Sequence, residues 1–146
     1  MIIDTDELAR CRGEVAMVDG GFDPLHDGHV AYFRAAKELG LPVLCNISGD
    51  HYVASKHPPL LQEDQRAAVI DSIRFIDYTH VSQTTTEAIL EAAAPRMYVK
   101  GVDWEAKLPK SQIEICSRLG IEIVFVDTIR DSSSRILANY TTRSER

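Results

Sequence analysis

Short apolar runs alternate with longer stretches in which apolar residues return every three or four positions. The runs are Glu14 to Asp19, Pro42 to Ser48, Ile76 to Val81, Arg96 to Lys100 and Ile121 to Val126. Each is bounded by turn residues, and their length and boundaries predict buried strands. Between them, Val30, Phe33 and Ala36 recur at helical spacing over Asp27 to Leu39, and Gly40 closes that segment. Similar spacing predicts helices over Leu61 to Phe75, Thr86 to Ala94, Pro109 to Leu119 and Ser132 to Asn139. Asp4 to Cys11 reads as a short leading helix, and Thr84 or Thr85 as the cap of the Thr86 helix.

Alternation of this kind calls for an α/β fold: a Rossmann-like, doubly wound, five-stranded parallel sheet with helices on both faces and right-handed crossovers. No repeat, low-complexity segment or linker divides the chain. It reads as one domain over residues 1–146, with a core at about 14–138. Ligands of such sheets bind beyond the carboxyl ends of the strands, near the switch in strand order. The residues that follow each strand are therefore the ones to inspect.

Composition narrows the function. The chain has 146 residues and a net charge of −6, without the basic footprint of a nucleic-acid binder. No apolar run is long enough to span a membrane, and the N-terminal stretch, with Asp4, Asp6 and Glu7, is unlike a signal peptide. The cytoplasm is the expected location. Cys11, Cys45 and Cys116 stand far apart and read as reduced, buried thiols.

The strongest chemical signal follows the first strand: Gly20-Gly21-Phe22-Asp23-Pro24-Leu25-His26-Asp27-Gly28-His29. Paired glycines allow a tight turn and close approach of a ligand to the backbone. His26 and His29, three apart at the start of a helix, can face one side. Gly28 leaves the helix N-terminus bare, so that free N–H groups and the positive end of the dipole are open to phosphate oxygens. A bare H-x-x-H pattern is more often a pair of surface histidines, or half a metal site. The glycine turn and the strand–turn–helix context are what raise this one above that.

His26-Asp27-Gly28-His29 resembles the H-x-G-H signature of the cytidylyltransferase-like nucleotidyltransferases, and the resemblance covers about Glu14 to Ile136. It implies that the two histidines contact a triphosphate and stabilise the transition state. Gly20, Gly21, Phe22, Asp23 and Gly28 would lie against the nucleotide. Gly21 stands where the family has Cys or Thr. Lys56 resembles the family's phosphate-binding lysine. Pro59 to Arg66 is similar to its R-P-x-x-x-x-x-x-R stretch, with Arg66 as the second arginine and Pro58 in place of the first. Arg66 and Asp50 are accordingly assigned to substrate binding. Val99-Lys100-Gly101-Val102-Asp103-Trp104 resembles the V-K-G-G-D-[YW] segment of bacterial heptose-1-phosphate adenylyltransferases, with Val102 replacing a glycine. Lys100, Gly101 and Asp103 would then lie near base or ribose. Ser132, Ser133 and Ser134 match the family's hydroxyl run for the β,γ-phosphates; by themselves they could equally be a helix cap and two solvated serines.

The resemblance implies an enzyme that joins a nucleoside triphosphate, ATP by preference, to a phosphorylated small molecule and releases pyrophosphate. A sugar 1-phosphate such as a heptose 1-phosphate is the favoured acceptor. Asp127 to Asp131 departs from the R-T-E-G-I of glycerol-3-phosphate cytidylyltransferases. A cytidylyltransferase acting on glycerol 3-phosphate or another polyol or head-group phosphate is the alternative within the family. A catalytically silent nucleotide sensor is the alternative outside it. A metal-binding protein built on His26 and His29 lacks further ligands at suitable spacing. Mg²⁺ is expected to arrive through the triphosphate, with no protein ligand assigned. His51, His57 and His80 read as ordinary, although His57 adjoins Lys56. The family tends to form dimers, and apolar residues between Leu61 and Phe75 could serve a homodimer.

Overall fold

The computed structural model of the chain describes residues 1–128 and 133–144. Five parallel strands form one sheet: β1 (Ala16–Gly20), β2 (Val43–Ser48), β3 (Tyr78–Ser82), β4 (Met97–Gly101) and β5 (Glu122–Val126). Their order is β3-β2-β1-β4-β5, so the direction of winding reverses between β1 and β4. The predicted architecture is therefore the observed one, and each predicted strand is present with its ends shifted by at most two residues.

The sheet has an apolar cluster on each face. Phe33 and Ala36 of helix α1 (Asp27–Lys37) pack with Ala67 and Ile70 of α3 (Glu63–Asp71) on one face. Leu8, Ile89, Leu90 and Cys116 pack on the other, from the leading segment, α4 (Thr86–Ala93) and α5 (Lys110–Leu119). All three cysteines are buried free thiols. Among the described residues no helix is long and apolar enough to cross a membrane.

Four elements depart from expectation. The leading helix is a 3-10 helix over Thr5–Cys11, capped by Asp4, whose carboxylate accepts the Glu7 N–H. A five-residue helix, α2 (Asp50–Ala54), follows β2 and is too short to show a periodicity in sequence. Helix α3 starts later and stops earlier than the Leu61 to Phe75 pattern suggests; Leu61 lies outside it and is exposed, as is Val69 within it. The final helix, α6 (Ser133–Ser144), extends beyond Asn139.

Gly49, between β2 and α2, is required by close approach. A Cβ there would stand 2.6 Å from the Ser82 carbonyl oxygen at the end of β3. That oxygen belongs to backbone and cannot swing aside. Gly49→Ala is expected to lower unfolding stability by about 1–3 kcal/mol through overpacking, measured by denaturant titration.

Candidate active site

The ladder between β1 and β2 runs the whole length of β1, from Ala16↔Val43 to Gly20↔Ile47. The ladder between β1 and β4 holds only Ala16↔Met97 and Met17↔Tyr98. Beyond that point the two strands part, and side chains bridge them. The Tyr32 hydroxyl accepts the Asp19 N–H and donates to the Val99 carbonyl. The Asp19 carboxylate accepts from the Tyr98 hydroxyl at 2.8 Å and from Lys100 Nζ at 2.8 Å. The Lys100 ammonium lies 4.3 Å from the centroid of the Trp104 ring. Desolvation, and then the Asp19 charge, raise the Tyr32 and Tyr98 hydroxyl pKa values, so both remain protonated donors.

A cleft of about 850 Å³ opens at this parting. His26, His29, Gly20, Gly21, Phe22 and Gly28 line one side of it, with Lys56 at its edge, and Lys100, Gly101 and Asp103 line the β4 side. Most of the residues assigned from sequence thus meet in one space of the size typical for ligands.

The histidines are held by the backbone they cap. His26 is the N-cap of α1; its Nδ1 accepts the Gly28 N–H at 3.1 Å. His29 Nδ1 accepts the His26 N–H at 3.2 Å. The rings stack with centroids 3.8 Å apart, and the buried Phe22 ring meets His29 edge-on at 5.0 Å. A backbone N–H can only donate, so neither Nδ1 carries a proton in these bonds. Each ring proton must then sit on Nε2. His26 Nε2 is buried and, among the described residues, has no partner. Desolvation, with a smaller contribution from His26, pushes the His29 pKa down to about 4. His29 is therefore a neutral donor at pH 7 and not a cation.

Other residues are placed differently. Arg66 is buried, at 1% exposure, and does not line the cleft. Its Nε donates to the Leu61 carbonyl at 3.1 Å; one terminal nitrogen donates to the Gly21 and Ser48 carbonyls at 2.7 Å; the other meets Asp50 Oδ1 at 2.7 Å. The arginine clamps the turns after β1 and β2 together from beneath. Asp50 is taken up in that clamp and does not line the cleft either. The structure thus places this pair beneath the two turns and not in the lining of the cleft, with three of the guanidinium's bonds made to backbone carbonyls. Asp23, expected against nucleotide, is buried and accepts the Leu60 and Leu61 N–H groups at 2.7 and 3.1 Å.

Lys100 is cleft-lining but already paired with Asp19. Among the described cleft residues, Lys56 is the cation without a carboxylate partner; it rests 4.9 Å from the Tyr52 ring centroid. His51 also lines the cleft and His57 a smaller adjoining hollow. His80 is buried, bonded to Asn46 and Thr5. Ser132 lies outside the described residues, as do the side chains of Ser133 and Ser134. Sequence reasoning missed Asp19, Tyr32 and Asn46. An aspartate and an asparagine at the ends of otherwise apolar strands were the available signal.

The sequence pattern of the family described as cytidylyltransferase-like matches residues 17–139. The bifunctional protein HldE of Shewanella sediminis is 36% identical over 104 residues, 68% of this chain and 22% of that protein. HldE of Vibrio parahaemolyticus is 36% identical over 109 residues, 71% of this chain and 23% of that one. The chain thus spans under a quarter of these relatives. In fold it resembles the lipopolysaccharide core biosynthesis protein of Thermoplasma volcanium (TM-score 0.66, 21% identity, 82% of this chain and 98% of that one). It also resembles pantothenate synthetase of Thermus thermophilus (TM-score 0.67, 16% identity, 99% and 70%).

Two outcomes follow from the geometry. Arg66→Met leaves three carbonyls and the Asp50 carboxylate without their partner and should cost about 3–5 kcal/mol of stability, read by denaturant unfolding; a pure ligand contact would leave stability intact. For His29, the unfolded chain binds a proton that the folded chain rejects between about pH 6.5 and 4. Stability should fall as pH drops through that window and lose nothing more from this group below it. In His29→Asn the fall should be shallower than in the wild type, measured by melting across that range.

Proposed function

The chain belongs to the cytidylyltransferase-like family, and from that premise we propose that it transfers AMP from ATP to a sugar 1-phosphate, such as a heptose 1-phosphate, with release of pyrophosphate. The observation that carries the chemistry is the histidine pair. Two stacked imidazoles line the cleft with their ring protons on Nε2, and His26 Nε2 is buried without a partner among the described residues. A buried donor without a partner costs free energy unless a ligand completes it.

In the proposed reaction an oxygen of the acceptor phosphate attacks the α-phosphorus of the triphosphate. A new P–O bond forms as the bond to the β-phosphate oxygen breaks, and pyrophosphate departs with that electron pair. A phosphate monoester is largely ionised at neutral pH and needs no base to activate it. The protein's task is to position two anions and stabilise the charge that shifts toward the leaving group. His26 and His29 donate to the oxygens around the α-phosphorus. Neutral donors suit a site that must first accept one anion and then release another. Lys56 offsets charge on the pyrophosphate. Ser132, Ser133 and Ser134 are proposed for the β,γ end.

Among the described residues no group of three or more His, Cys, Asp or Glu could hold a metal ion. A Mg²⁺ is proposed to be carried chiefly by the triphosphate oxygens, as is usual for that ion. Bound there, it would neutralise phosphate charge. The AMP donor and sugar 1-phosphate acceptor draw support from the Val99 to Trp104 segment, whose Lys100, Gly101 and Asp103 line the cleft, and from the HldE relatives.

The test is pyrophosphate release with each of four nucleoside triphosphates crossed against sugar 1-phosphates and glycerol 3-phosphate, with Mg²⁺. Release with ATP and a heptose-type 1-phosphate is expected. Release only with CTP and a polyol phosphate would overturn the substrate assignment, and nucleotide binding without release from any pair would overturn the transfer. His26→Asn and His29→Asn retain a side-chain acceptor for the helix turn but lack Nε2–H. Each should lower turnover by roughly 10²–10³ with little change in melting temperature.

A further inference from the structure

The strands carry a polar row across a sheet face whose inner positions are apolar. Asp19 pairs in register with Asn46, and Asn46 with His80. Lys100 joins the row through its ion pair with Asp19. One step back along each strand on the same face stand Met17, Leu44, Tyr78 and Tyr98, which pack with α4 and α5. The row therefore marks where the core stops and the cleft begins, on the face away from α1 and its histidines.

Asn46 is the member whose side chain is half spoken for. It lines the cleft and is 4% exposed. Its Oδ1 lies 2.8 Å from His80 Nδ1, and His80 Nε2 lies 3.0 Å from the Thr5 hydroxyl. With Oδ1 as acceptor, His80 carries its proton on Nδ1, and Nε2 accepts from Thr5. His80 is 1% exposed, and desolvation lowers its pKa, which keeps it in that neutral form. The relay holds the Asn46 amide in one orientation. Its nitrogen has no hydrogen-bond partner among the described residues and is not fully enclosed, so the amide keeps donor capacity at a residue that lines the cleft.

The surroundings on this side are not those of an anion site. Asp19, Glu87, Gln112 and Thr86 line it beside Trp104. Gln112 Oε1 accepts from the Tyr98 hydroxyl at 3.3 Å. Glu87 accepts from Ser111, a bond that leads in lowering its pKa and keeping it a carboxylate. Carboxylate acceptors, amide donors and an aromatic plane, with the ammonium of Lys100 already matched, suit a ligand whose groups both donate and accept and carry no charge of their own. Hydroxyls are such groups.

We propose that Asn46 is a specificity-determining residue: held by His80 and Thr5, its amide nitrogen donates to a hydroxyl of the polyhydroxylated body of the acceptor, seated on the α4–α5 side of the cleft. This rests on the nucleotidyl-transfer reading for the identity of the second substrate. Asn46 is then a binding residue, and His80 and Thr5 are positioning residues that act through it.

The test uses the full chain and two readouts. Calorimetric binding of sugar 1-phosphates is measured without triphosphate; pyrophosphate release gives KM for acceptor and for ATP separately. In Asn46→Ala the acceptor Kd and KM should rise about tenfold, with the ATP KM unmoved and saturated turnover within about twofold. His80→Phe and the milder Thr5→Val should raise the acceptor KM in the same direction, with melting curves recorded alongside. A purely structural role would move melting and both KM values together. Acceptor affinity unchanged in Asn46→Ala, or a rise confined to the ATP KM, overturns the assignment while leaving the transfer reaction standing. Sugar phosphate binding that depends on Asn46 in a protein that releases no pyrophosphate supports this subsite and overturns the transfer. Absence of sugar phosphate binding by the wild type at millimolar concentration overturns the subsite.

Discussion

The site depends on the parting of β1 from β4. A parallel sheet whose winding reverses leaves its two central strands free to separate at their carboxyl ends, because the crossovers leave on opposite faces. Here the separation begins after Met17 and Tyr98. The ladder bonds that a continuous pairing would make must be met in some other way, since buried backbone groups are costly to leave alone. The Tyr32 hydroxyl meets two of them, Asp19 N–H and Val99 C=O. The Asp19–Lys100 pair then fixes the width of the opening from the other face. An ion pair this buried gains little net stability; what it determines is where β4 and Trp104 stand relative to β1.

The same economy runs through the functional groups. Several are held by a backbone atom of the turn that carries them or of the turn beside it. The two histidines use Nδ1 on backbone N–H groups at the helix start, which leaves each ring proton on Nε2. Arg66 ties Gly21 to Ser48, and Asp23 ties the β1–α1 turn to Leu60 and Leu61. Positioning in this cleft is thus built from the hydrogen bonds that the loops would need in any case. Pre-organised neutral donors of this kind reorganise little when charge moves past them.

Much of the fold was legible in the sequence because its signals are local. Short apolar runs, helical spacing and Gly40 or Gly120 at a helix end each say one thing about one segment. The H-x-G-H turn was legible for the same reason: its glycines, histidines and helix start lie within ten residues. What sequence did not separate was a polar residue that faces a ligand from one that faces the protein. Arg66 and Lys56 both fit a cation motif; only tertiary contact shows that Arg66 meets three carbonyls and Asp50 while Lys56 stays at the cleft edge. Asp19, Asn46 and His80 lie on three strands far apart in the chain, and their registry is a property of the sheet alone. The charge state of His29 was likewise beyond reach, since burial and the stacked neighbour set it.

The central claim is that the histidine pair works as neutral Nε2–H donors whose other nitrogens are already committed to the backbone. Nitrogen-15 NMR of the imidazole rings tests it directly, because protonated and unprotonated ring nitrogens are resolved from each other. At pH 7 the account predicts the Nε2–H form for His26 and His29, and the Nδ1–H form for His80 as an internal contrast. His29 should take up its proton only near pH 4, and ATP should shift the Nε2 signals of the pair. A proton on Nδ1 of either ring, or a His29 that titrates near 6.5, would contradict the account.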